Sequence, residues 1–355
     1  MTLLDARRHP LVVVVGAGGV GKTTLAASIG IETARAGHAA LVMTLDPSHR
    51  LKDALGVGDA ARDRAVRVDL PLAGRLDASL LDARATFDRL VERYAPDPAA
   101  RRRILENRYY RHLAGRLAGI LEYMAVERLF EVTREGGYDR IVLDTPPTRQ
   151  ALDFLEAPDR IVAFLESDAL RIATKDWFDR SGRLRAASRL GAVGRGLERW
   201  LDGVVGLDFL REMAEFFQAF GPLYEGFRER AHDVRRLLRD EGTLFVLVSA
   251  PGEERVADAL FFARRLVESG HHLGAVIANR VHPRFPRIPD DAPDGLVLLR
   301  TLGERDAASV AQLRRLLAGR PVAEIPLIAA EPSGRHELDA FARLVAERVS
   351  VAAES

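Results

Sequence analysis

Short runs of apolar residues recur along this chain, and longer stretches with apolar residues at helical spacing separate them. Such short runs are typical of strands that are buried on both faces of a parallel sheet. Their regular alternation with helical patterns predicts an α/β fold with a doubly wound, mostly parallel sheet. The predicted strands lie at 11–15, 40–45, 140–143, 243–249, 273–279 and 322–325.

Two stretches of helical pattern are longer than the usual connections between strands, and they extend over about 76–135 and 160–240. Because apolar strand signals resume after each of them, we expect a helical subdomain formed by two insertions into one sheet domain. The sheet domain then comprises 1–75, 136–159 and 241–355.

The second helical stretch carries two patterns, each with two interpretations. Between 180 and 199 there are six arginines and few acids, which indicates either a solvated helix face or a contact with anionic lipid or an acidic partner. Between 209 and 227, aromatic and aliphatic residues recur on one helical face. That face is either a core stripe of the subdomain or a groove that accepts an apolar helix from a client protein.

The composition narrows the classes of function. The 355 residues carry a formal net charge of +1, so there is no strong signal for nucleic-acid binding. The chain contains no cysteine, which excludes disulfides, thiolate zinc sites and thiol ligands for metalloids. Neither a signal peptide nor an apolar run long enough for a transmembrane segment is found, and we therefore expect a soluble, cytoplasmic protein.

The most specific motif is the glycine-rich segment Gly-Ala-Gly-Gly-Val-Gly-Lys-Thr-Thr at 16–24. It follows a predicted strand and precedes a helical pattern, which is the context of a phosphate-binding P-loop. Glycines allow backbone N–H groups to converge on phosphates, and the helix N-terminus adds its positive dipole end. Lys22 is placed to reach the β- and γ-phosphates of a nucleotide, and the Thr23 hydroxyl is placed to ligate Mg²⁺. The predicted cradle consists of Gly16, Gly18, Gly19, Val20, Gly21, Lys22 and Thr23.

Two aspartates follow predicted strands, at the edge where doubly wound sheets bind ligands. Asp46, in Asp-Pro-Ser-His, is a candidate for orienting or deprotonating the water that attacks a γ-phosphate. The same residue is also suited to cap a helix that has Pro47 at its first position. Asp144 ends a strand as in a Walker B element and is a candidate for holding Mg²⁺ through water. The Thr-Pro-Pro-Thr segment at 145–148 is then a candidate switch loop.

Weaker signals follow the last two predicted strands. Asn279 and Arg280 lie at the end of one strand, and Ile-Pro-Leu at 325–327 lies at the end of the other, at the edge where a purine would bind. Loop asparagines form turns or caps more often than they read a base, so both interpretations stay open.

Taken together, these motifs resemble those of the ArsA/Get3 family, which includes arsenite-pump ATPases and targeting factors for tail-anchored proteins. The likeness covers nearly the whole chain, and the order of the motifs is more specific than any one of them. The segments that carry it are 16–24, 46–49, 144–148 and 279–280, with 122–129 and 216–220 similar to the bacterial ArsA-like branch.

The resemblance implies an ATPase that dimerises with ATP and Mg²⁺ at the interface and is compact when ATP is bound. It places Thr24 at the α-phosphate, Asp46 at the attacking water, Asp144 at Mg²⁺ and Asn279 at the adenine, and Arg280 is a further candidate for nucleotide binding. It also implies that the nucleotide switch handles a protein client or a membrane-associated partner.

Three departures from the family pattern modify this expectation. Ala17 stands where the family usually has a lysine that reaches the partner's phosphates, which predicts low activity or a heterodimer with a lysine-bearing homologue. Arg149 stands where a glycine is common, and we hypothesise that it supplies part of the missing charge. The lack of cysteine disfavours arsenite transport and excludes a zinc-linked dimer.

Two alternative functions follow from single features. The arginines between 180 and 199 favour a MinD/ParA-like positioning ATPase, which would bind a surface rather than a client. Ala17 favours a nucleotide-binding partner protein with little turnover of its own.

Overall fold

The chain divides into two compact units in the computed structural model. The first comprises Met1–Asp82, Leu129–Leu155 and Arg236–Ser355, and the second comprises Ala83–Arg128 and Glu156–Arg235. The described residues are 6–45, 50–62, 64–95, 97–106, 120–166, 224–332 and 334–354.

The first unit is built on an eight-stranded sheet of order β3-β4-β2-β5-β1-β6-β7-β8. Every pairing is parallel except that of β3 with β4, so the prediction of a mostly parallel, doubly wound sheet is confirmed. The strands are β1 (Leu11–Gly16), β2 (Ala39–Thr44), β3 (Val66–Arg67), β4 (Arg75–Leu80), β5 (Arg140–Asp144), β6 (Thr243–Ser249), β7 (Leu273–Val281) and β8 (Val322–Pro326).

Helices connect these strands, in the alternation that the apolar pattern predicted. In chain order they are α1 (Lys22–Arg35), α2 (Arg50–Leu55), α3 (Ala83–Tyr94), α4 (Pro98–Glu106), α5 (Ile120–Glu135), α6 (Thr148–Leu165), α7 (Tyr224–Arg239), α8 (Glu253–Glu268), α9 (Asp294–Leu316) and α10 (Arg335–Glu354). A short 3₁₀ turn lies at Asp59–Ala61.

The central strand β1 explains the apolar run that opens the chain. It pairs with β5 on one side and β6 on the other, and all six of its residues are buried. On one face, Val12 and Val14 join a core cluster that includes Leu25 and Ile29 of α1 and Phe341 of α10. A strand covered on both faces has no position where a polar side chain would reach water, so its sequence is continuously apolar.

Strand β4 corrects the prediction that a helical stretch begins near residue 76. Residues Arg75–Leu80 pair in parallel with β2, at the position next to it in the sheet. The strand was missed because Asp77 interrupts its apolar pattern, although this aspartate is buried. Its Oδ2 accepts hydrogen bonds from Arg75 Nε at 3.0 Å and from the Tyr138 hydroxyl at 2.7 Å, and these bonds offset the cost of burial. A carboxylate that accepts a hydrogen bond from a residue 61 positions away is not recognisable from local pattern.

In the second unit, a buried polar network joins two of the helices. The Tyr123 hydroxyl donates to Glu127 Oε2 at 2.8 Å, and Arg230 Nε of α7 lies 2.7 Å from Glu127 Oε1. The arginines of 180–199 and the apolar stripe of 209–220 lie outside the described residues, as does the side chain of Phe227. Of the helices that are described, none is both long and apolar enough to cross a membrane.

Candidate nucleotide-binding site

The glycine-rich segment forms the turn between β1 and α1, in the first unit. Two of its glycines have no room for a side chain. A Cβ at Gly16 would lie 2.1 Å from the carbonyl oxygen of Val248, and one at Gly21 would lie 2.4 Å from Asn279 Nδ2. Gly21 also adopts a φ of 91° as the N-cap of α1, a left-handed conformation that favours glycine. The loop therefore depends on these glycines for its shape even without a ligand.

Lys22 and Thr23 begin α1 and occupy the inside of this turn. Lys22 is 7% exposed, and its Nζ donates to the carbonyl oxygen of Ala17 at 2.9 Å, so the ammonium lies over the loop. The Thr23 hydroxyl donates to Asp144 Oδ2 at 2.8 Å. The sequence assigned both Thr23 and Asp144 to Mg²⁺, and the structure places their side chains in contact at the end of β5.

Asp144 is completely buried at the carboxyl end of β5. A second hydroxyl, that of Thr44 at the end of β2, donates to the same Oδ2 at 2.9 Å. The register of the sheet explains this contact, because Thr44 and Asp144 are direct partners across the β2–β5 pair. Thr44 was not predicted from the sequence, although it ends a strand at the same edge.

The segment after Asp144 lies beside the loop. The Thr145 hydroxyl donates to the carbonyl oxygen of Val14 at 2.8 Å, which ties this segment to the end of β1. Pro147 approaches Gly18, where an added Cβ would lie 3.7 Å from the proline ring. Arg149 lies in the first turn of α6, and its side chain is outside the described part of the structure. Asp46 also lies outside the described residues.

An open cavity of about 760 Å³ lies over the loop, within the range of roughly 300–1,000 Å³ that is typical of ligand sites. Its lining consists mainly of residues of the glycine-rich loop and of the segment after β5, together with the side chains of Arg280 and Glu331 from the part of the sheet beyond β6. The lining residues are Gly18, Gly19, Gly21, Lys22, Thr23, Thr24, Ala54, Thr145, Pro147, Arg280, Glu331, Pro332 and Gly334.

Asn279 and Arg280 contact the glycine-rich loop directly. The Asn279 side chain is buried; its Nδ2 donates to the carbonyl oxygen of Val20 at 2.8 Å, and its Oδ1 accepts from the Arg280 backbone N–H at 3.0 Å. Arg280 has a φ of 62°, and its Nη1 donates to the carbonyl oxygen of Gly19 at 3.0 Å. Its Nη2 forms an ion pair with Glu331. The adenine contact remains a prediction, whereas the contact with the loop is observed.

Arg255 is a loop-contacting residue that sequence reasoning missed. It lies in the first turn of α8, and its Nη1 donates to the carbonyl oxygen of Gly18 at 3.1 Å. No motif announces it, because it is an exposed arginine within an ordinary amphipathic helix. Glu331 was also not predicted. It follows β8 at the same edge of the sheet as Asp144, where doubly wound sheets bind ligands.

Comparison with known proteins agrees with this architecture. The family model described as Anion-transporting ATPase matches residues 9–175, which include the loop, Asp46 and Asp144. An Aquifex aeolicus protein whose name describes an arsenical pump-driving ATPase is 25% identical over 93% of this chain and 77% of its own length. The ATPase get3 of Sclerotinia sclerotiorum is 24% identical over 97% of this chain and 92% of its own length. The chain therefore resembles the ATPases of the ArsA/Get3 family.

A third relative also aligns with residues of both units. The ATPase GET3 of Podospora anserina is 25% identical over 97% of this chain and 92% of its own length. The similarity to these relatives therefore covers the sheet unit with its glycine-rich loop and the helical unit alike. Nucleotide use is a property of this ATPase family.

Proposed function

We propose that this ArsA/Get3-like protein binds ATP at the 16–24 loop, hydrolyses it, and acts as a cytoplasmic nucleotide switch. One observation carries the proposal: the hydrogen bond of 2.8 Å between Thr23 Oγ1 and Asp144 Oδ2. It joins the phosphate loop to the end of β5 through a hydroxyl and a carboxylate, the pair with which P-loop NTPases hold Mg²⁺.

Binding of the phosphates rests on the backbone of the loop and on Lys22. The glycines allow N–H groups to converge, and the N-terminus of α1 adds positive potential at the same place. In the structure, Lys22 Nζ donates to the Ala17 carbonyl, and we expect it to donate to the β- and γ-phosphates of bound ATP instead. Thr24, which lines the cavity, is assigned to the α-phosphate.

The residues at the end of β5 suit Mg²⁺, because they offer oxygen ligands at a buried anionic position. Thr23 and Asp144 would hold the ion, and Thr44 orients the carboxylate. Bound Mg²⁺ would neutralise charge that develops on the phosphate oxygens. Asp144→Asn is therefore expected to weaken Mg²⁺-dependent binding more than binding measured in EDTA.

Asp46 is proposed to orient the attacking water. Its support is its place in the chain, two residues beyond Thr44, which is the direct partner of Asp144 across the sheet. Asp46→Asn should retain ATP binding and lose about 10²–10⁴-fold in kcat, the range for a positioned general base. Lys22→Ala should lose ATP binding itself. Phosphate release and calorimetry separate the two effects, and Asp290→Asn, an exposed acid beyond β7, is the control.

The proposed switch forms a dimer around nucleotide, either with a second copy or with a homologue that supplies a lysine where this chain has Ala17. Sedimentation with ADP, Mg²⁺ and a γ-phosphate mimic tests dimer formation. Phosphate release by the pure chain, alone and mixed with a lysine-bearing homologue, tests which dimer is active. If mixing with the homologue leaves the rate of phosphate release by this chain unchanged, the heterodimer is contradicted.

A protein client is proposed for the apolar face of 209–227. With the Asp46→Asn variant held in ATP, a synthetic apolar helical peptide should bind, and Phe216→Asp should abolish this binding. Unchanged peptide binding in Phe216→Asp would exclude the groove. If the protein binds no peptide but sediments with anionic vesicles in a salt-sensitive manner, the result would favour the positioning ATPase.

A further inference from the structure

We propose that Arg255, Asn279 and Arg280 form an outer clamp that holds the glycine-rich loop in its phosphate-binding shape before nucleotide arrives. The inference rests on the proposed function in one respect, because it takes nucleotide phosphate as the ligand of the loop. It assigns a positioning role to Arg255, which no sequence motif marked.

The outer clamp is defined by hydrogen bonds to three consecutive carbonyl groups. Arg255 Nη1 donates to the Gly18 oxygen at 3.1 Å, Arg280 Nη1 to the Gly19 oxygen at 3.0 Å, and Asn279 Nδ2 to the Val20 oxygen at 2.8 Å. The preceding carbonyl, that of Ala17, accepts from Lys22 Nζ. No carbonyl oxygen from 17 to 20 is therefore left to turn freely.

Peptide geometry connects these bonds to phosphate binding. In a trans peptide unit, the C=O of one residue and the N–H of the next lie in one plane and point in opposite directions. Fixing the carbonyls of Gly18, Gly19 and Val20 therefore also fixes the direction of the next three N–H groups. Those N–H groups are the ones with which a phosphate loop holds its anion. Donors that hold the carbonyl side of these peptide units thus orient the N–H groups on the opposite side.

The clamp matters because the loop is rich in glycine. Fixing the backbone of one residue costs about 1–2 kcal/mol, and glycine loses more freedom than any other residue. A loop that is ordered only by nucleotide would subtract this cost from the affinity, whereas a loop ordered beforehand would not. The outer bonds are made within the protein itself, so part of the cost is met before binding.

Two of the three donors are guanidinium groups, which adds an electrostatic effect. Hydrogen bonds from a charged donor are about twice as strong as neutral ones. A cation at a carbonyl oxygen also polarises the peptide unit and strengthens its N–H as a donor. Arg255 places this charge at Gly18, directly after Ala17, the position at which the chain lacks the family's lysine.

Arg255 is the member of the clamp that can be removed with least disturbance. Asn279 is buried against Gly21, and Arg280 also pairs with Glu331, whereas Arg255 is exposed on α8. Its matched control is Arg264, an exposed arginine on the same helix for which the described residues provide no hydrogen bond or ion pair. Arg255→Ala and Arg264→Ala therefore remove equal charge, but only the first removes a bond to the loop.

The test measures loop order and affinity separately. In nucleotide-free protein, ¹⁵N relaxation should give Gly18–Gly21 amides order parameters of about 0.8 or more, falling below about 0.6 in Arg255→Ala. The Kd for ADP should rise by about 10-fold, the effect of one charge-assisted hydrogen bond. Arg255→Lys should recover part of both effects, and Arg264→Ala should match the wild type.

Unchanged order parameters in Arg255→Ala would overturn the clamp, and so would a greater loop disorder that leaves the Kd for ADP unchanged. Equal changes in Arg264→Ala would assign the effect to net charge alone and would overturn the clamp too. If the wild type binds neither ADP nor ATP, the proposed function fails by itself. The relaxation measurement uses no nucleotide and still decides whether Arg255 orders the loop.

Discussion

Two separate constraints require glycine at position 21. Its φ of 91° is left-handed, and a Cβ would lie 2.4 Å from the buried Asn279 amide. From sequence, glycine at this position is explained by the close approach of phosphate to the backbone. In the folded chain, a second cause is present without any ligand, because Asn279 reaches past Gly21 to the Val20 carbonyl.

Replacing Gly21 should therefore lower the stability of the protein by more than the backbone strain of a left-handed residue alone. Gly21→Ala is expected to weaken ADP binding and to lower stability by more than the roughly 1–2 kcal/mol of a left-handed non-glycine residue. Gly37→Ala is the control, because Gly37 has a φ of 90° but nothing within 4 Å of its added Cβ. Urea unfolding and calorimetry measure both effects. Equal losses in the two variants would show that the approach of Asn279 has no energetic consequence.

At the scale of single elements, β1 and β4 show which strands can be predicted. β1 is covered on both faces and reads as an unbroken apolar run, whereas β4 contains the buried Asp77. The polar position in β4 is satisfied by Tyr138, which lies 61 residues further along the chain. A strand whose buried polar side chain is hydrogen-bonded by a residue far along the chain has a broken apolar pattern. Its sequence is therefore interpreted as a loop or a helix.

The bond between Tyr138 and β4 should be visible in a pH titration. Burial, and then the hydrogen bond to Asp77, raise the pKa of Tyr138 from 10.0 to about 12. Because the folded state holds this proton more tightly than the unfolded state, the stabilisation is complete below pH 10 and is lost as pH rises towards 12. Tyr138→Phe should remove that loss. Stability measured in both proteins between pH 9 and about 12 tests this, and parallel curves would contradict it.

In the second unit, we expect the ion pair between α5 and α7 to contribute strongly to the free energy of unfolding. Glu127 is completely buried, and Arg230 Nε lies 2.7 Å from its Oε1. Glu127→Ala should destabilise the protein by about 3–5 kcal/mol, because the buried guanidinium loses this carboxylate. Glu127→Gln keeps an oxygen acceptor and should cost less. Glu229→Ala, an exposed acid on α7, is the control, and denaturant midpoints that shift equally would refute the argument.

At the scale of the whole molecule, the proposed nucleotide site lies within the sheet unit. Its loop comes from the N-terminal part of the chain, Asp144 from the middle, and Arg255, Asn279 and Arg280 from the C-terminal part. Segments widely separated in sequence must therefore be folded together before the site exists. A ligand at this site binds the folded state and not the unfolded one, so it should stabilise the chain.

Nucleotide should accordingly raise the thermal stability of the protein. At a free concentration 100 times its Kd, ADP with Mg²⁺ should add about 2.7 kcal/mol, which appears as a higher Tm. Lys22→Ala should unfold at its own Tm whether or not nucleotide is present. Differential scanning fluorimetry over a range of ADP concentrations measures the effect. A Tm of the wild type that does not depend on ADP would count against the site.

Three features can be inferred from the amino-acid sequence alone: the alternation of strands and helices, the glycine-rich turn, and the roles expected of Lys22, Thr23 and Asp144. The spacing of apolar residues indicates which positions are buried, and so it indicates strands and helices. Because the carboxyl ends of parallel strands meet at one edge of the sheet, residues that follow different strands are expected to lie close together. The hydrogen bonds that hold the carbonyl groups of the loop, by contrast, are visible only in the folded chain. Arg255 donates to a carbonyl 237 residues away, through a bond that sheet order creates and that no local pattern encodes.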